Sequence, residues 1–173
     1  MGLHKPTLRR APPLPPAVAA AVATWWLAQE WLVHGALLHS SWDWPGRAIH
    51  HGHHVAPYYH VSIDGPGLIL PAMAASGALA WAALGATHMW LTAAIVYWCM
   101  GLLYEWTHFL VHTRYVPRSA AARSVRRHHM LHHCRNEAYW LAFIAPGVDA
   151  LMGTAPRPGA VRVSELARKG FRL

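Results

Sequence analysis

The sequence predicts an all-α fold: an integral membrane bundle of helices with a histidine-rich helical cap on its cytosolic side. The first indication is composition, because 54% of the 173 residues are hydrophobic and only 13% are charged. The second is that residues 66–86 and 89–104 contain no charge, and each approaches the roughly 20 residues that a helix needs to cross a bilayer. The third is that most of the 15 histidines are gathered in short clusters outside these two stretches.

The individual elements follow from the apolar runs and from the breaks between them. A first helix over 17–39 precedes a histidine-bearing connection over 40–65, in which Gly, Pro and Asp favour turns. A helical hairpin follows over 66–112. The Arg- and His-rich segment over 113–140 then contains a helix that begins near Pro117.

The net charge of +8 is unevenly distributed along the chain. We expect a basic, Pro-rich tail over 1–16, a membrane domain over 17–156 and a basic tail over 157–173. Of the 15 basic residues, 11 lie from Arg114 onward, and Arg47 lies between the first helix and the hairpin. The positive-inside rule therefore predicts that the histidine clusters and the C-terminus face the cytoplasm, at the inner membrane in a bacterium.

The basic residues also bear on the partners of the protein. Nucleic acid is not expected, because only Lys5 and Lys169 are lysines and no basic stripe is interleaved with exposed aromatic residues. Anionic lipid headgroups at a membrane are favoured instead. The basic N-terminal tail conflicts with the predicted sidedness if helix 17–39 fully spans, so a partly interfacial first helix is an alternative.

The histidines recur at spacings typical of metal ligands on helices. Residues three and four apart share one face of an α-helix, and HHGHH and HMLHH both contain the form H-x2-H-H, while HFLVH has H-x3-H. His34 and His39 are five apart, which is a rotation of about 140° on an α-helix, so a helix end or bulge is expected near them. Ten histidines form two halves, each a pair followed by a triplet: His34, His39, His50, His53 and His54, then His108, His112, His129, His132 and His133.

Ten imidazoles at ligand spacing predict two metal ions, since imidazole is the commonest metal ligand in proteins. Structural zinc sites typically use thiolate ligands. This chain has only Cys99 and Cys134, both expected to be reduced thiols, so a structural zinc site is not favoured. Imidazole-rich sites suit Zn, Cu, Fe or Ni, and two irons that bind O2 beside an apolar substrate fit this chain best. The remaining histidines fall outside the ligand spacing: His4, His51, His60, His88 and His128.

The order H-x4-H, H-x2-H-H, H-x3-H, H-x2-H-H resembles the histidine boxes of the integral-membrane fatty acid hydroxylase and sterol desaturase superfamily. It is also similar to that of bacterial β-carotene hydroxylases. The resemblance covers about residues 30–156 and includes EWLVH, HHVAP, HHCRNEAYW and the closing segment APGVDALMGT. That closing segment resembles the fatty acid hydroxylase branch, while the short interval from His39 to His50 resembles the carotene hydroxylases.

The resemblance implies a non-haem centre of two iron ions, which zinc can replace in purified or overexpressed protein, with the ten histidines above as ligands. It implies O2-dependent hydroxylation of a C–H bond of a lipid, whether fatty acyl, sterol-like or carotenoid. The electrons would come from an external donor of ferredoxin or cytochrome type with its reductase. The sequence agrees with this, because it has no Rossmann fingerprint, haem-attachment motif or cysteine cluster.

Two alternatives stay open at this point. Desaturation of a lipid differs from hydroxylation only in the second hydrogen abstraction, and the sequence does not separate the two. A metal-handling membrane protein would also carry many imidazoles. A transporter, however, is expected to place its ligands near the bilayer midplane, whereas these histidines lie at helix ends and in the predicted cytosolic segments.

Two carboxylates precede histidine pairs at the cytoplasmic ends of the apolar helices. Glu30 lies four residues before His34, and Glu105 lies three before His108. A carboxylate there is costly unless it is paired, so we expect each to accept the free ring N–H of a ligand histidine. Simple contact with water is the alternative. Further candidates for the same role are Asp64, Asn136 and Asp149.

Overall fold

The computed structural model describes residues 15–57 and 66–170, and within these residues every regular element is a helix. The elements in chain order are α1 (Pro16–Val33), a π-helical turn (His34–Leu38), α2 (Pro45–Val55), α3 (Pro66–Leu84), α4 (His88–Val111), α5 (Ala120–Cys134), α6 (Gly147–Met152), a 3-10 turn (Pro158–Ala160) and α7 (Glu165–Gly170). The all-α expectation is therefore confirmed.

The helices form two layers. The long helices α1, α3 and α4 form the first layer, in which α4 contacts both α1 and α3. The shorter helices α2, α5 and α7 form the second, in which α7 contacts both α2 and α5. The π-helical turn joins α1 to the second layer, and α6 packs against α1. The histidines at the ends of α1 and α4 and on α2 and α5 are buried between these elements.

Local sequence signals explain where the helices begin. Pro16 and Pro45 occupy the first turns of α1 and α2, where a missing N–H costs no helical hydrogen bond. Ser119 caps α5 by accepting a hydrogen bond from the N–H of Ala122 at 3.1 Å, close to the start expected from the sequence. Between α3 and α4 the chain turns at Gly85, whose φ of +66° is a conformation that side chains disfavour.

The predicted hairpin is confirmed as α3 and α4. Trp98 Nε1 donates to the carbonyl of Met73 at 3.1 Å, and Trp90 Nε1 donates to that of Gly77 at 2.9 Å. A Cβ at Gly77 would lie 3.0 Å from the Trp98 ring, so the glycine lets the indole approach α3 closely. The predicted crossing of a bilayer is not confirmed: in the part of the chain that the structure describes, no helix combines the length and the apolar character that this requires.

Residues 157–170, which the sequence suggested as part of a tail, are folded onto the second layer. Arg135 Nε, just after α5, donates to the carbonyl of Val161 at 2.7 Å. A Cβ at Gly170 would clash with the carbonyl oxygen of His54, so α7 approaches α2 through a glycine. The segment therefore supports the two helices that carry the histidine triplets.

Candidate metal centre

Ten histidines form two compact groups between the layers. Each histidine offers one ring nitrogen, and within a group these nitrogens all lie within 4.8 Å of one another. Group one consists of His34, His39, His50, His54 and His132, and group two of His53, His108, His112, His129 and His133. All ten histidines expected as ligands are thus brought together.

The two groups do not coincide with the two halves of the sequence. In the triplet of α2, His53 belongs to group two and its partners belong to group one. In the triplet of α5, His132 belongs to group one and its partners belong to group two. The outer residues of each triplet are four apart and share a face, while a step of one residue turns the helix by about 100°. Each triplet helix therefore contributes to both groups.

A π-helical turn accommodates the five-residue spacing between His34 and His39. The N–H of His39 donates to the carbonyl of His34 at 3.2 Å, which is the i→i+5 hydrogen bond of a π-helix. The centroids of the two rings are 5.0 Å apart. The break expected from the spacing is therefore confirmed, and it takes the form of the single π turn His34–Leu38.

The Nε2 atoms of group one lie at short and similar distances from one another. Nε2 of His50 lies 3.1 Å from that of His34, 3.0 Å from that of His39 and 3.2 Å from that of His54. Nε2 of His132 lies 3.1 Å from those of His39 and His54. If the nitrogens occupied corners of an octahedron or square pyramid with these distances as its edges, a metal at its centre would lie about 2.2 Å from each nitrogen. That distance is close to the length of a metal–imidazole bond. The donor set therefore fits a divalent transition metal.

Two backbone carbonyls orient rings of group one. His34 Nδ1 donates to the carbonyl of Leu141 at 2.5 Å, and His132 Nδ1 donates to that of Tyr139 at 2.9 Å. A proton fixed on Nδ1 leaves the lone pair of Nε2 directed into the group. Sequence patterns did not reveal these acceptors, because a backbone carbonyl in an irregular segment has no residue-type signature.

Group two is deeply buried. Nε2 of His129 lies 2.7 Å from that of His108 and 2.9 Å from that of His112. The Phe143 ring packs on the rings of His108 and His129, with centroids 5.0 and 4.6 Å apart. Among the described residues, neither ring nitrogen of His133 has a hydrogen-bond partner although both are buried. Buried nitrogens without partners are costly, and coordination of a metal ion would satisfy one of them.

Burial disfavours the charged form of nine of the ten imidazoles. It lowers the pKa of His34 and of His112 to about 4 and the pKa of His39 to about 3. Burial, followed by repulsion from neighbouring histidines, lowers the pKa well below its ordinary value for His50, His54, His108, His129, His132 and His133. Neutral imidazole is the form that binds a metal ion, so the site suits a cation at neutral pH.

Glu30 is buried near group one, but its partners differ from the expected ones. Its Oε1 accepts hydrogen bonds from the backbone N–H groups of Phe143 at 2.5 Å and of Ile144 at 3.0 Å. Burial raises the pKa of Glu30 to about 7, although the two N–H groups act in the opposite direction. The expected contact with a ring N–H of a ligand is thus replaced by contacts with the backbone of the segment that orients His34.

Asp149 is fully buried and accepts four hydrogen bonds. Its Oδ1 accepts from the N–H of Leu141 at 3.0 Å and from the Thr154 hydroxyl. Its Oδ2 accepts from the N–H of Ala142 at 2.6 Å and from Nε2 of His128 at 2.6 Å. Burial raises the pKa of Asp149, but the hydrogen bonds from His128, Thr154 and Ala142 outweigh it and lower the pKa below its ordinary value. His128 is therefore a partner of this carboxylate and belongs to neither group.

The remaining candidates are Glu105, Asn136, His88 and three residues outside the described ranges. Glu105 is half-buried on α4, where it lines an apolar cavity, and its role as an acceptor for a ligand stays a prediction. Asn136 stabilises a turn after α5, since its Oδ1 accepts from the N–H of Ala138 at 3.0 Å. His88 begins α4. Residues outside the described ranges are His4, His60 and Asp64.

Group one lines two cavities through different histidines. An apolar cavity of about 400 Å³ has His34 in its wall, together with side chains of α1, α3 and α4 that include Trp26, Ile69, Met73, Trp98 and Leu102. A polar cavity of about 460 Å³ has His39 in its wall, together with Arg47, His51, Glu137, Glu165 and Lys169. The group therefore adjoins apolar space at one histidine and charged, solvated space at another.

Comparison with known proteins identifies the family. A family model described as fatty acid hydroxylase matches residues 18–154, a range that contains both histidine groups. A solved structure described as full-length Scs7p, with only the hydroxylase domain visible, has the same fold, with a TM-score of 0.67 at 21% identity. That match covers 86% of this chain and 58% of the Scs7p chain, so this chain spans less than two thirds of that relative. No curated protein matches the sequence significantly. Because the family model matches most of the chain, the protein belongs to the fatty acid hydroxylase family.

Proposed function

We propose that the protein is a lipid hydroxylase that uses two iron ions, O2 and electrons from an external donor. The observation that carries this proposal is the position of group one, which adjoins group two, beside an apolar cavity of about 400 Å³ whose wall includes His34. Membership of the fatty acid hydroxylase family supports an oxidoreductase activity. The cavity volume also lies within the range of small-molecule sites, about 300–1,000 Å³.

The histidines would hold one metal ion in each group. Iron bound there would supply the O2 chemistry that oxidises an unactivated C–H bond. The protein's own contribution is to present neutral Nε2 atoms in fixed directions, which the carbonyls of Leu141 and Tyr139 achieve for His34 and His132. Zinc in purified protein would not contradict iron in the working enzyme, since imidazole sites bind zinc more tightly than ferrous iron.

The apolar cavity would hold the chain of the substrate. Its wall is mostly aliphatic and aromatic, and its polar members include the pair Gln29 and Tyr97, in which Gln29 Nε2 donates to the Tyr97 hydroxyl at 2.6 Å. Such a wall excludes water from the bound chain and orients it by shape. Fatty acyl, sterol-like and carotenoid chains all have the apolar character that this wall favours.

A membrane is the proposed location, with the histidine groups towards the cytoplasm. Large apolar side chains are exposed on α1, α3 and α4, among them Trp25, Leu32, Leu79, Trp81, Leu102 and Trp106. Exposed apolar surface of this kind is typical of contact with lipid or with another protein. The basic residues from Arg114 onward favour the cytoplasmic side, where a ferredoxin- or cytochrome-type donor has access.

The proposed function is tested by a substitution that blocks the apolar cavity without altering the histidine groups. Gly101 lines the apolar cavity, and a Cβ built on it meets no atom within 4 Å. Gly101→Phe is therefore expected to fill the cavity and leave the histidines in place. We expect the unmodified protein, reconstituted with iron, to bind two ions per chain and to incorporate ¹⁸O from ¹⁸O2 into a lipid, as shown by elemental analysis and mass spectrometry.

Gly101→Phe should keep both ions and lower product formation about 100-fold, the cost of misplacing a substrate by about 1 Å. Gly101→Ala is the matched control and should keep both the metal and the product. Binding of one ion or none by the unmodified protein would contradict the metal assignment. Unchanged product formation by Gly101→Phe would exclude this cavity as the substrate site.

A further inference from the structure

The irregular segment 139–144 links the two histidine groups to the closing part of the chain. Trp140, Leu141, Ala142 and Phe143 are buried, yet the segment forms neither helix nor strand. Trp140 has a φ of +57°, a value that bulky residues rarely adopt. A backbone of this kind keeps its conformation only where its surroundings fix it.

Two buried carboxylates accept four consecutive backbone N–H groups of this segment. Asp149 accepts from residues 141 and 142 through two different oxygens, at 3.0 and 2.6 Å. Glu30 accepts from residues 143 and 144 through the single oxygen Oε1, at 2.5 and 3.0 Å. The carboxylates come from α6 and α1, so they join the segment to both.

Two carbonyls of the same segment face the histidines. The carbonyls of Tyr139 and Leu141 accept the Nδ1–H groups of His132 and His34, both of which belong to group one. A shift of the segment would move both carbonyls and would therefore turn both rings. Two of the five Nε2 atoms of group one thus depend on how this backbone is held.

We propose that Asp149 and Glu30 are positioning residues for group one. They act through the backbone of residues 139–144, whose carbonyls set the direction of the rings of His34 and His132. The inference rests on the proposed function, because it takes group one to be a metal site.

Replacing each carboxylate by the corresponding amide should have different effects on group one, because Glu30 accepts the backbone N–H groups through one oxygen and Asp149 accepts its partners through two. Glu30 receives both N–H groups on one oxygen, so the amide oxygen of Glu30→Gln is sufficient to accept them. Asp149 accepts hydrogen bonds through both of its oxygens. Asp149→Asn would therefore replace one acceptor by an amide NH2 group, which can only donate, and would place it against a backbone N–H or against His128. A role through negative charge alone would make the two substitutions equivalent.

Titration of the protein with Co²⁺, followed by the visible absorption of the bound ion, measures this difference. We expect two Co²⁺ ions per chain in the unmodified protein. Asp149→Asn should weaken one of the two by about 10–100-fold, the usual cost of losing a partner of a metal ligand, and should change the absorption of that ion. Glu30→Gln should bind both ions with less than about a tenfold change, whereas Glu30→Leu should resemble Asp149→Asn. Far-UV circular dichroism of each variant checks the fold.

Equal losses in Asp149→Asn and Glu30→Gln, or no loss in either, would overturn the inference. Reproduction of the Asp149→Asn loss by His128→Ala would also overturn it, since that substitution leaves the backbone N–H contacts intact. If Asp149→Asn does not fold, the contrast between Glu30→Gln and Glu30→Leu decides the same question. Failure of the unmodified protein to bind Co²⁺ would contradict the proposed function instead.

Discussion

His128 and His129 are adjacent on α5 and have different environments. His129 lies in group two, with its Nε2 within 3 Å of two other ring nitrogens, while His128 Nε2 bonds to Asp149 at 2.6 Å. His132 lies in group one, where its Nε2 is 3.1 Å from those of two other histidines. Loss of the His132 ring therefore removes a ligand atom, whereas loss of the His128 ring removes one of four partners of a carboxylate.

His132→Ala should release one of the two metal ions and abolish hydroxylated product, because group one would lose a donor that its geometry depends on. His128→Ala should retain both ions with less than about a tenfold loss of affinity, because it leaves the backbone N–H contacts of Asp149 intact. Elemental analysis of the two purified variants measures this. Retention of both ions by His132→Ala together with loss by His128→Ala would reverse the assignment of the α5 face.

At the scale of elements, helix geometry explains what could be predicted. The pair on α4 and the triplets on α2 and α5 use spacings of three and four residues, which are local and therefore visible in the sequence. The irregular spacing of His34 and His39 predicted a break, and the π turn supplies it.

The exchange of His53 and His132 between the groups was not predictable, because it depends on how α2 and α5 face each other. The roles of Asp149 and of the Tyr139 and Leu141 carbonyls depend on tertiary contacts of an irregular segment, which leave no periodic signal. For the same reason Glu30 was identified as a residue near the site, while its backbone partners were not.

Deletion of Ala36 tests the function of the π turn. The deletion would place His34 and His39 four residues apart, the spacing that His108 and His112 have on α4, and would convert the π turn to an α turn with both rings on one face. We expect the variant to keep two metal ions. Insertion of one alanine after Ala36 is the matched control and should lose the ion of group one, because six residues do not return to the same face. Loss of the group one ion in both variants would contradict the view that the π turn serves only to bring His34 and His39 onto one face.

At the scale of the whole molecule, most of the basic residues and most of the exposed tryptophans and leucines lie on different parts of the chain. Most of the exposed tryptophans and leucines lie on α1, α3 and α4, the exceptions being Trp42, Leu37 and Leu151. The described basic residues from Arg114 to Lys169 lie on α5, on α7 and on the segments beside them. This separation agrees with a protein whose first layer meets lipid and whose second layer faces the cytoplasm.

A reporter fused after Leu173 should therefore be cytoplasmic. Green fluorescent protein at this position should fluoresce, and alkaline phosphatase at the same position should be inactive, because the two reporters mature on opposite sides of a membrane. Active phosphatase at this position would contradict the proposed sidedness, and with it the access of a cytoplasmic electron donor to the histidine groups.

The exchange of histidines between the groups has a mechanical consequence. His53 and His54 are neighbours in the chain and serve different groups, and so are His132 and His133. Twice, therefore, a histidine of one group is joined to a histidine of the other by a single peptide bond, whose Cα atoms are about 3.8 Å apart. Sliding or tilting of α2 against α5 would therefore displace histidines of both groups at once. Such a movement could not rearrange one group without disturbing the other.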